Sequence, residues 1–203
     1  MKILCVSDTE MPQLRSAVNL RRHYKDIDLV ISCGDMLPAY LEYITSILQA
    51  PLYYVRGNRD ERYRKEPPGG IDLHRQIVQY RGLTMTGLEG CIRYNNGEIQ
   101  YSQTQMHGMV FGLSAKILAH RWLRRRGIDL FVTHSPARDI HDGSDVAHRG
   151  FTSFRNFMRW FRPRYMLHGH VHTWDRRKTV RTQFQSTCVI NVNPFTVLEL
   201  NPR

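Results

Sequence analysis

The sequence predicts an α/β fold built on parallel strands, and two observations lead to this prediction. In the first third of the chain, short β-type runs alternate with helix-like stretches, the pattern of parallel strands joined by right-handed crossovers. The apolar runs are continuous rather than alternating, as in strands buried on both faces. The chain has 203 residues, and globular domains usually contain about 100–200. We therefore expect a single domain over residues 1–203.

The first third supplies three strands and two helices. Apolar β-type runs predict strands at residues 2–7, 28–33 and 52–56. Helical spacing of the apolar residues predicts helices at 14–24 and 38–48. Two prolines and two glycines in residues 66–70 then predict a loop.

The rest of the chain supplies further strands and two longer helices. Antiparallel neighbours are expected at 76–80 and 83–86, around Arg81 and Gly82. Ser102 and Gln105 match a capping box that opens a helix over 102–126, and Gly127 is its stop signal. An amphipathic phenylalanine face predicts a helix over 151–161. Strands are expected at 128–133 and 165–167, and a closing hairpin at 187–192 and 196–200.

The charge balance of the chain favours anionic partners. Twenty-nine Lys and Arg residues against 18 Asp and Glu give a formal net charge of +11. Such a surplus is typical of proteins that bind phosphoesters, nucleotides, nucleic acid or acidic membranes, and it equally suits a solvated basic surface. Two arginine groups would carry a nucleic-acid site: Arg121, Arg124, Arg125 and Arg126, or Arg155, Arg159, Arg162 and Arg164.

The remaining composition predicts a cytoplasmic protein without a membrane span. The four cysteines are scattered without a CxxC pair, which argues against a zinc ribbon and against a secreted disulfide framework. No apolar run approaches the roughly 20 residues that cross a bilayer. The first residues lack the apolar core and cleavage site of a secretory signal.

Polar side chains follow five of the predicted strands. In chain order they are Asp8 and Glu10, Asp35, Asn58 and Arg59, His134, and His168, His170 and His172. Ligand sites in open α/β sheets lie beyond the carboxyl ends of the strands, so these side chains should meet at one edge. Carboxylate, amide and imidazole groups together bind divalent ions such as Mn²⁺, Fe²⁺ or Zn²⁺. Two such ions about 3.5–4 Å apart favour in-line attack on phosphorus.

These residues resemble the five blocks of the calcineurin-like metallophosphoesterases. The blocks are Asp8-Thr9-Glu10, Gly34-Asp35, Gly57-Asn58-Arg59-Asp60, Thr133-His134 and Gly169-His170-Val171-His172, and they occur in order. The resemblance implies a four-layer α/β/β/α sandwich. It also implies hydrolysis of phosphomonoesters or phosphodiesters by a metal-bound hydroxide at a dinuclear centre.

The same resemblance assigns the metal ligands. Asp35 would bridge two divalent ions, for which Mn²⁺ is favoured and Fe, Zn or Mg are alternatives. Asn58, His134 and His170 would complete one site. Asp8, Glu10 and His172 would complete the other. His168 is expected to be a partner of these ligands or a core residue.

Two residues depart from the family pattern. Glu10 stands where the family has a histidine, and a carboxylate there would favour harder ions such as Mn²⁺ or Mg²⁺. Arg59 stands where the family has a histidine that assists catalysis. An arginine keeps its proton and cannot act as a general acid, although it can bind phosphate oxygens and offset charge.

The departure at Arg59 leaves open which group protonates the leaving oxygen. His141 and His148, in the loop after the His134 strand, are candidates for this role and for substrate binding. The expected substrate is a small phosphoester or a nucleotide, bound partly by Asn58 and Arg59. The alternative is a weakened relative that binds phosphate, nucleotide or RNA in a metal-dependent way without useful turnover. The oligomeric state is left open.

Overall fold

The computed structural model describes residues 1–124, 126–172 and 180–201. Its strands are β1 (Lys2–Val6), β2 (Leu29–Ser32), β3 (Leu52–Tyr54), β4 (Ile71–Asp72), β5 (Ile77–Tyr80), β6 (Leu83–Leu88), β7 (Cys91–Ile92), β8 (Gln100–Tyr101), β9 (Leu130–Thr133), β10 (Tyr165–His168), β11 (Val180–Phe184), β12 (Thr187–Asn191) and β13 (Phe195–Glu199). Its α-helices are α1 (Ala17–His23), α2 (Pro38–Leu48), α3 (Gln103–Arg124) and α4 (Thr152–Phe161). Two 3₁₀ turns span Pro12–Leu14 and Asp60–Arg64.

The strands form two larger sheets and one small ribbon. The first sheet has the order β13-β1-β2-β3-β4, and the second has the order β11-β12-β10-β9-β6-β5. Neighbouring strands are parallel from β1 to β4 in the first sheet and from β12 through β10 and β9 to β6 in the second. Strands β7 and β8 make the ribbon. The predicted parallel α/β class is confirmed.

Side-chain alternation along the strands builds four layers. On β1, Ile3 and Cys5 enter the core between the two sheets, whereas Leu4 and Val6 pack towards α1 and α2. On the outer face of the second sheet, Phe131 of β9 packs with residues of α3 and α4. The arrangement is the expected α/β/β/α sandwich. Since the inner strands are covered on both faces, the continuous apolar runs of the sequence are explained.

The predicted closing hairpin is wrong. Strand β12 pairs with β10 and β11 in the second sheet, whereas β13 pairs antiparallel with β1 in the first. The connection between them passes from one sheet to the other through a cis Asn193–Pro194 bond. The hairpin of this region is β11–β12, and the sequence patterns do not predict β11.

Other predicted bounds need smaller changes. The first helix begins at Ala17 rather than residue 14, because Pro12–Leu14 forms a 3₁₀ turn and the Ser16 side chain caps the helix. Strand β6 ends at Leu88, two residues beyond the predicted end at residue 86. The helix over 38–48 is confirmed. Arg125, one of the predicted nucleic-acid arginines, lies outside the described residues.

The predicted capping box at α3 is confirmed. The Gln105 backbone N–H donates to Ser102 Oγ at 3.1 Å, and the Ser102 N–H donates to Gln105 Oε1 at 2.9 Å. The two bonds satisfy amide groups that the first turn of a helix leaves without intrahelical partners. Helix α3 therefore starts where the sequence predicts.

Replacing Ser102 should test the cap. We expect Ser102→Ala to lower the free energy of unfolding by about 1 kcal/mol, the usual cost of losing a serine cap. Urea denaturation followed by circular dichroism measures the change. Ser46→Ala, which removes an exposed serine from α2, is the control and should change the stability far less. Equal effects of the two substitutions would contradict the cap.

Candidate metal centre

The candidate site lies at the edge where the parallel strands of both sheets end. Asp8 follows β1, Asp35 follows β2, Asn58 follows β3, His134 follows β9 and His170 follows β10. Ligand atoms of Asp8, Asp35 and His134 all lie within 4.8 Å of one another. The meeting of strand ends that the sequence predicts is therefore observed for these side chains.

The centre of the site is the buried His134 ring. Its Nδ1 lies 2.8 Å from the Cys33 carbonyl oxygen, which can only accept, so Nδ1 carries a proton. In the neutral ring, the lone pair is then on Nε2. This atom lies 3.0 Å from Asn58 Oδ1, 3.1 Å from His170 Nδ1 and 3.7 Å from Asp35 Oδ2.

The His170 ring presents a second lone pair to the same point. Its Nε2 lies 2.8 Å from the Ala147 carbonyl oxygen and must donate to it, which leaves the lone pair on Nδ1. Burial, and then the neighbouring His134, lower the pKa of His170 to about 3. His170 is therefore a neutral acceptor near pH 7.

The pKa of His134 shows that this point favours positive charge. Burial alone would lower the pKa of the ring, but the Asp35 and Asp8 carboxylates outweigh burial and raise it. Two nitrogen lone pairs, one amide oxygen and carboxylate oxygens converge here. A proton on Nε2 satisfies some of these acceptors, and a divalent cation would satisfy more of them. The donor set therefore fits a metal ion.

The backbone around the site is held in unusual conformations. Asp8, Asp35 and His170 have φ values of 63°, 57° and 66°, in the left-handed region that non-glycine residues seldom occupy. Gly57 allows a close approach, because a Cβ there would come within 2.6 Å of the Asp35 nitrogen. Such strain persists where surrounding contacts enforce it, and it is concentrated at functional sites.

The chain as a whole matches one known protein family over most of its length. A model described as calcineurin-like phosphoesterase matches residues 1–174. The chain belongs to the calcineurin-like phosphoesterase family. No curated protein matches it. Within the described residues, no helix has the length and apolarity needed to cross a bilayer.

Solved structures share the fold of this calcineurin-like phosphoesterase. The protein TT1561 of Thermus thermophilus superposes with a TM-score of 0.65 over 94% of this chain and 88% of that one, at 15% identity. A Plasmodium protein titled "GAP50 the anchor in the inner membrane complex" superposes with a TM-score of 0.56 over 94% and 70%, at 10% identity. At such identities the likeness shows the fold alone.

A small cleft of about 180 Å³ opens onto these candidate ligands. Its described lining residues are Asp8, Asp35, Asn58, Arg59, Tyr94, Ala147, His148, His170 and His172. His134 lies beneath them, fully buried. Most of the residues predicted for the site are thus brought together.

Glu10 and His141 are not among the described residues that line the cleft. One Glu10 oxygen pairs with Arg15, whereas Oε1 is buried without a hydrogen-bond partner among the described residues. The ring of His141 is held between His168 Nε2, at 2.9 Å, and Thr182 Oγ1, at 2.7 Å. The structure therefore places His141 beside the buried His168, away from the cleft.

Sequence reasoning misses Tyr94 and gives no role to Asp60. Tyr94 OH accepts a hydrogen bond from Asn58 Nδ2 at 3.2 Å. It lies two residues after β7, a short strand that the sequence patterns do not predict. The buried Asp60 Oδ2 accepts from the backbone N–H groups of Asp35, at 2.7 Å, and Gly57, at 2.8 Å. The sequence signal that could have identified Asp60 is its position in the block Gly57-Asn58-Arg59-Asp60.

Asp60 should position the loops that carry the candidate ligands. Burial raises the pKa of its carboxyl to about 6, although the N–H donors of Gly57 and Asp35 oppose the shift. We expect Asp60→Ala to weaken Mn²⁺ binding about 10–100-fold, the usual effect of removing a group that orients a metal ligand. Asp60→Asn keeps an accepting oxygen and should lose less. Isothermal titration with MnCl₂ measures both, and equal losses would contradict the positioning role.

Proposed function

We propose that this protein is a metal-dependent phosphoesterase that hydrolyses phosphomonoesters or phosphodiesters, with a small phosphoester or a nucleotide as substrate. Family membership supports the reaction class. The observation that carries the proposal is the convergence of acceptor atoms on His134 Nε2, from Asn58, His170 and Asp35. This arrangement suits a cation and lies in a cleft that is open to a phosphate.

The proposed ligands divide between two divalent ions, with Mn²⁺ favoured. Asn58, His134 and His170 would hold one ion, while Asp8, Glu10 and His172 would hold the other, and Asp35 would contact both. The unpartnered Glu10 Oε1 is the oxygen we assign to the metal. When bound, the ions supply Lewis acidity towards the phosphoryl oxygens and lower the pKa of water.

Arg59 would bind the phosphoryl oxygens. Its backbone N–H donates to Asp35 Oδ1 at 2.9 Å, and its Nε lies 3.7 Å from Asp35 Oδ2. The side chain is 76% exposed and lines the cleft, so its remaining N–H groups are available to an incoming anion. A guanidinium does not release a proton, so its contribution is charge stabilisation.

His148 would provide the proton for the leaving oxygen. Its ring lies in the cleft against His170, with 5.1 Å between the ring centroids. Its Nδ1 lies 2.9 Å from Asp145 Oδ2, so the carboxylate accepts the Nδ1 hydrogen and orients the ring. We assign the donated proton to Nε2. His141 has no part in this step, since both of its nitrogens are already hydrogen-bonded.

The size of the cleft favours substrates whose leaving group stays outside. A volume of about 180 Å³ lies below the roughly 300 Å³ at which ligand pockets usually begin. It can enclose a phosphoryl group but little of its ester substituent. We therefore expect broad tolerance of the leaving group's shape.

A second candidate function is metal-dependent binding of a phosphorylated ligand without useful turnover. The observation that favours it is Arg59, which occupies the position of a catalytic family histidine. In this case the cleft would bind phosphate, nucleotide or RNA, and hydrolysis would require a proton donor at position 59.

Activity of the Mn²⁺-loaded protein on an activated aryl phosphodiester separates the two functions. If the protein is an enzyme, Asp35→Asn should lower kcat/KM at least about 100-fold, since even groups that only orient metal ligands cost 10–100-fold. Asp26→Asn, an exposed aspartate beside Lys2, is the matched control and should retain activity. An inactive wild type that gains activity through Arg59→His would instead support the binding function.

The role of His148 is tested by the leaving group. A general acid contributes about 10²–10⁴-fold, mostly where the leaving oxygen is basic. We expect His148→Ala to slow hydrolysis of an alkyl ester about 100-fold and that of a p-nitrophenyl ester less than about tenfold. His23→Ala, which removes an exposed histidine of α1, should affect neither. Equal slowing of both esters would remove His148 from the proton-transfer step.

A further inference from the structure

Helix α3 carries an apolar face on its solvent side. Met106, Val110, Leu113 and Ile117 are buried against the second sheet. On the opposite side, Phe111, Leu118 and Trp122 are 76%, 58% and 82% exposed. The outer face of a helix in an α/β protein normally carries charged and polar residues. Large exposed apolar side chains in a row mark a surface that binds something.

The exposed residues are spaced as in a helix–helix interface. We call them the α3 seam: Thr104, Gly108, Phe111, Ala115, Leu118 and Trp122. They follow one another at steps of four and three residues, which is the heptad spacing of a seam between two helices. None of them is charged. A Cβ added at Gly108 would meet nothing within 4 Å, so the surface there is open.

The α3 seam is complementary to itself when two copies of the helix run antiparallel. With a two-fold axis through Ala115, Gly108 of one copy lies opposite Trp122 of the other. Phe111 then lies opposite Leu118, within one residue of register. At the ends of the seam, the bulky Trp122 of one copy meets Gly108 of the other. At the two-fold axis, where the helices cross, Ala115 carries only a methyl group. This alternation lets the backbones approach closely.

The arginines of α3 favour an antiparallel orientation of the two copies. The small residues of the seam favour a protein over a lipid surface as the partner. Arg121 and Arg124 lie in the last turn of α3, so parallel copies would bring these arginines together. With the axis through Ala115, antiparallel copies separate each arginine from its counterpart along the helix axis, by about 18 Å for Arg121 and about 27 Å for Arg124 at 1.5 Å per residue. A lipid surface would gain nothing from Gly108 or Ala115, whereas close helix packing uses both.

We infer that the α3 seam is the interface of a homodimer, a conclusion independent of the proposed function. Its exposed apolar side chains amount to roughly 450 Å² per copy, because large aromatic side chains bury 150–250 Å² each and Phe111 and Trp122 are 76% and 82% exposed. A standard interface buries about 800 Å² per partner. The seam thus supplies about half of the area a standard interface needs, and flanking residues such as Leu123, which is 69% exposed, supply more.

The oligomeric state of the full chain tests this inference. Sedimentation velocity with light scattering at about 20 µM should give twice the monomer mass of 23.9 kDa. We expect Gly108→Glu to give a monomer, because it places a charged side chain opposite Trp122 of the second copy. The fold should persist, since the added atoms face open space. Gly69→Glu is the matched control: it also has open space around it, carries the same charge change, and should stay dimeric.

Cysteine cross-linking tests the register. Ala115→Cys should form an intermolecular disulfide on mild oxidation, because the two positions meet at the axis. Ala119→Cys should not, since the two positions would be offset by eight residues, about 12 Å. A monomeric wild type would overturn the inference, as would a Gly108→Glu dimer or equal cross-linking at both positions. A monomer that sediments with anionic phosphatidylserine vesicles would assign the seam to a lipid surface instead.

Discussion

The hydrogen bond from His134 Nδ1 to the Cys33 carbonyl is the contact on which the site depends. His134 follows β9 of the second sheet, whereas Cys33 follows β2 of the first, so the bond joins the two sheets at the edge where their strands end. It also fixes the proton on Nδ1 and directs the lone pair of Nε2 towards Asn58, His170 and Asp35. One buried bond therefore contributes to the contact between the layers and fixes the polarity of the site.

Close packing of the strand ends brings the two halves of the site within bonding distance. His170 donates its backbone N–H to Asp8 Oδ2 at 2.9 Å, again from the second sheet to the first. Gly169 lies where these two segments approach each other, and a Cβ there would come within 2.7 Å of the Ser7 Cβ. A larger residue at position 169 would push the two sheets apart, and the candidate ligands that each sheet carries would move apart with them. The short polar blocks of the sequence thus serve both the packing of the sheets and the chemistry of the site.

The sequence predicts the parallel strands and most of the site, because both depend on local signals. A continuous apolar run followed by a polar block identifies a buried strand and its functional end, as at β9 and His134. The misassigned hairpin has no such signal: β12 and β13 are neighbours in sequence, but their partners, β10 and β1, are chosen by the sandwich as a whole. The ion pair of Glu10 with Arg15 and the place of Tyr94 over Asn58 likewise depend on how loops meet in space.

The surplus of positive charge gains a location from the structure. Asp8 and Asp35, two of the 18 acidic residues, turn inward to the candidate metal centre, where bound ions would neutralise them and make the net charge of the protein more positive. Arg59 stands at the mouth of the same cleft with its side chain largely exposed. An anion approaching this edge therefore meets a long-range attraction from the whole molecule and a directional one from a single guanidinium. The long-range part weakens as salt is added, whereas the contact inside the cleft is screened much less, because water is partly excluded there.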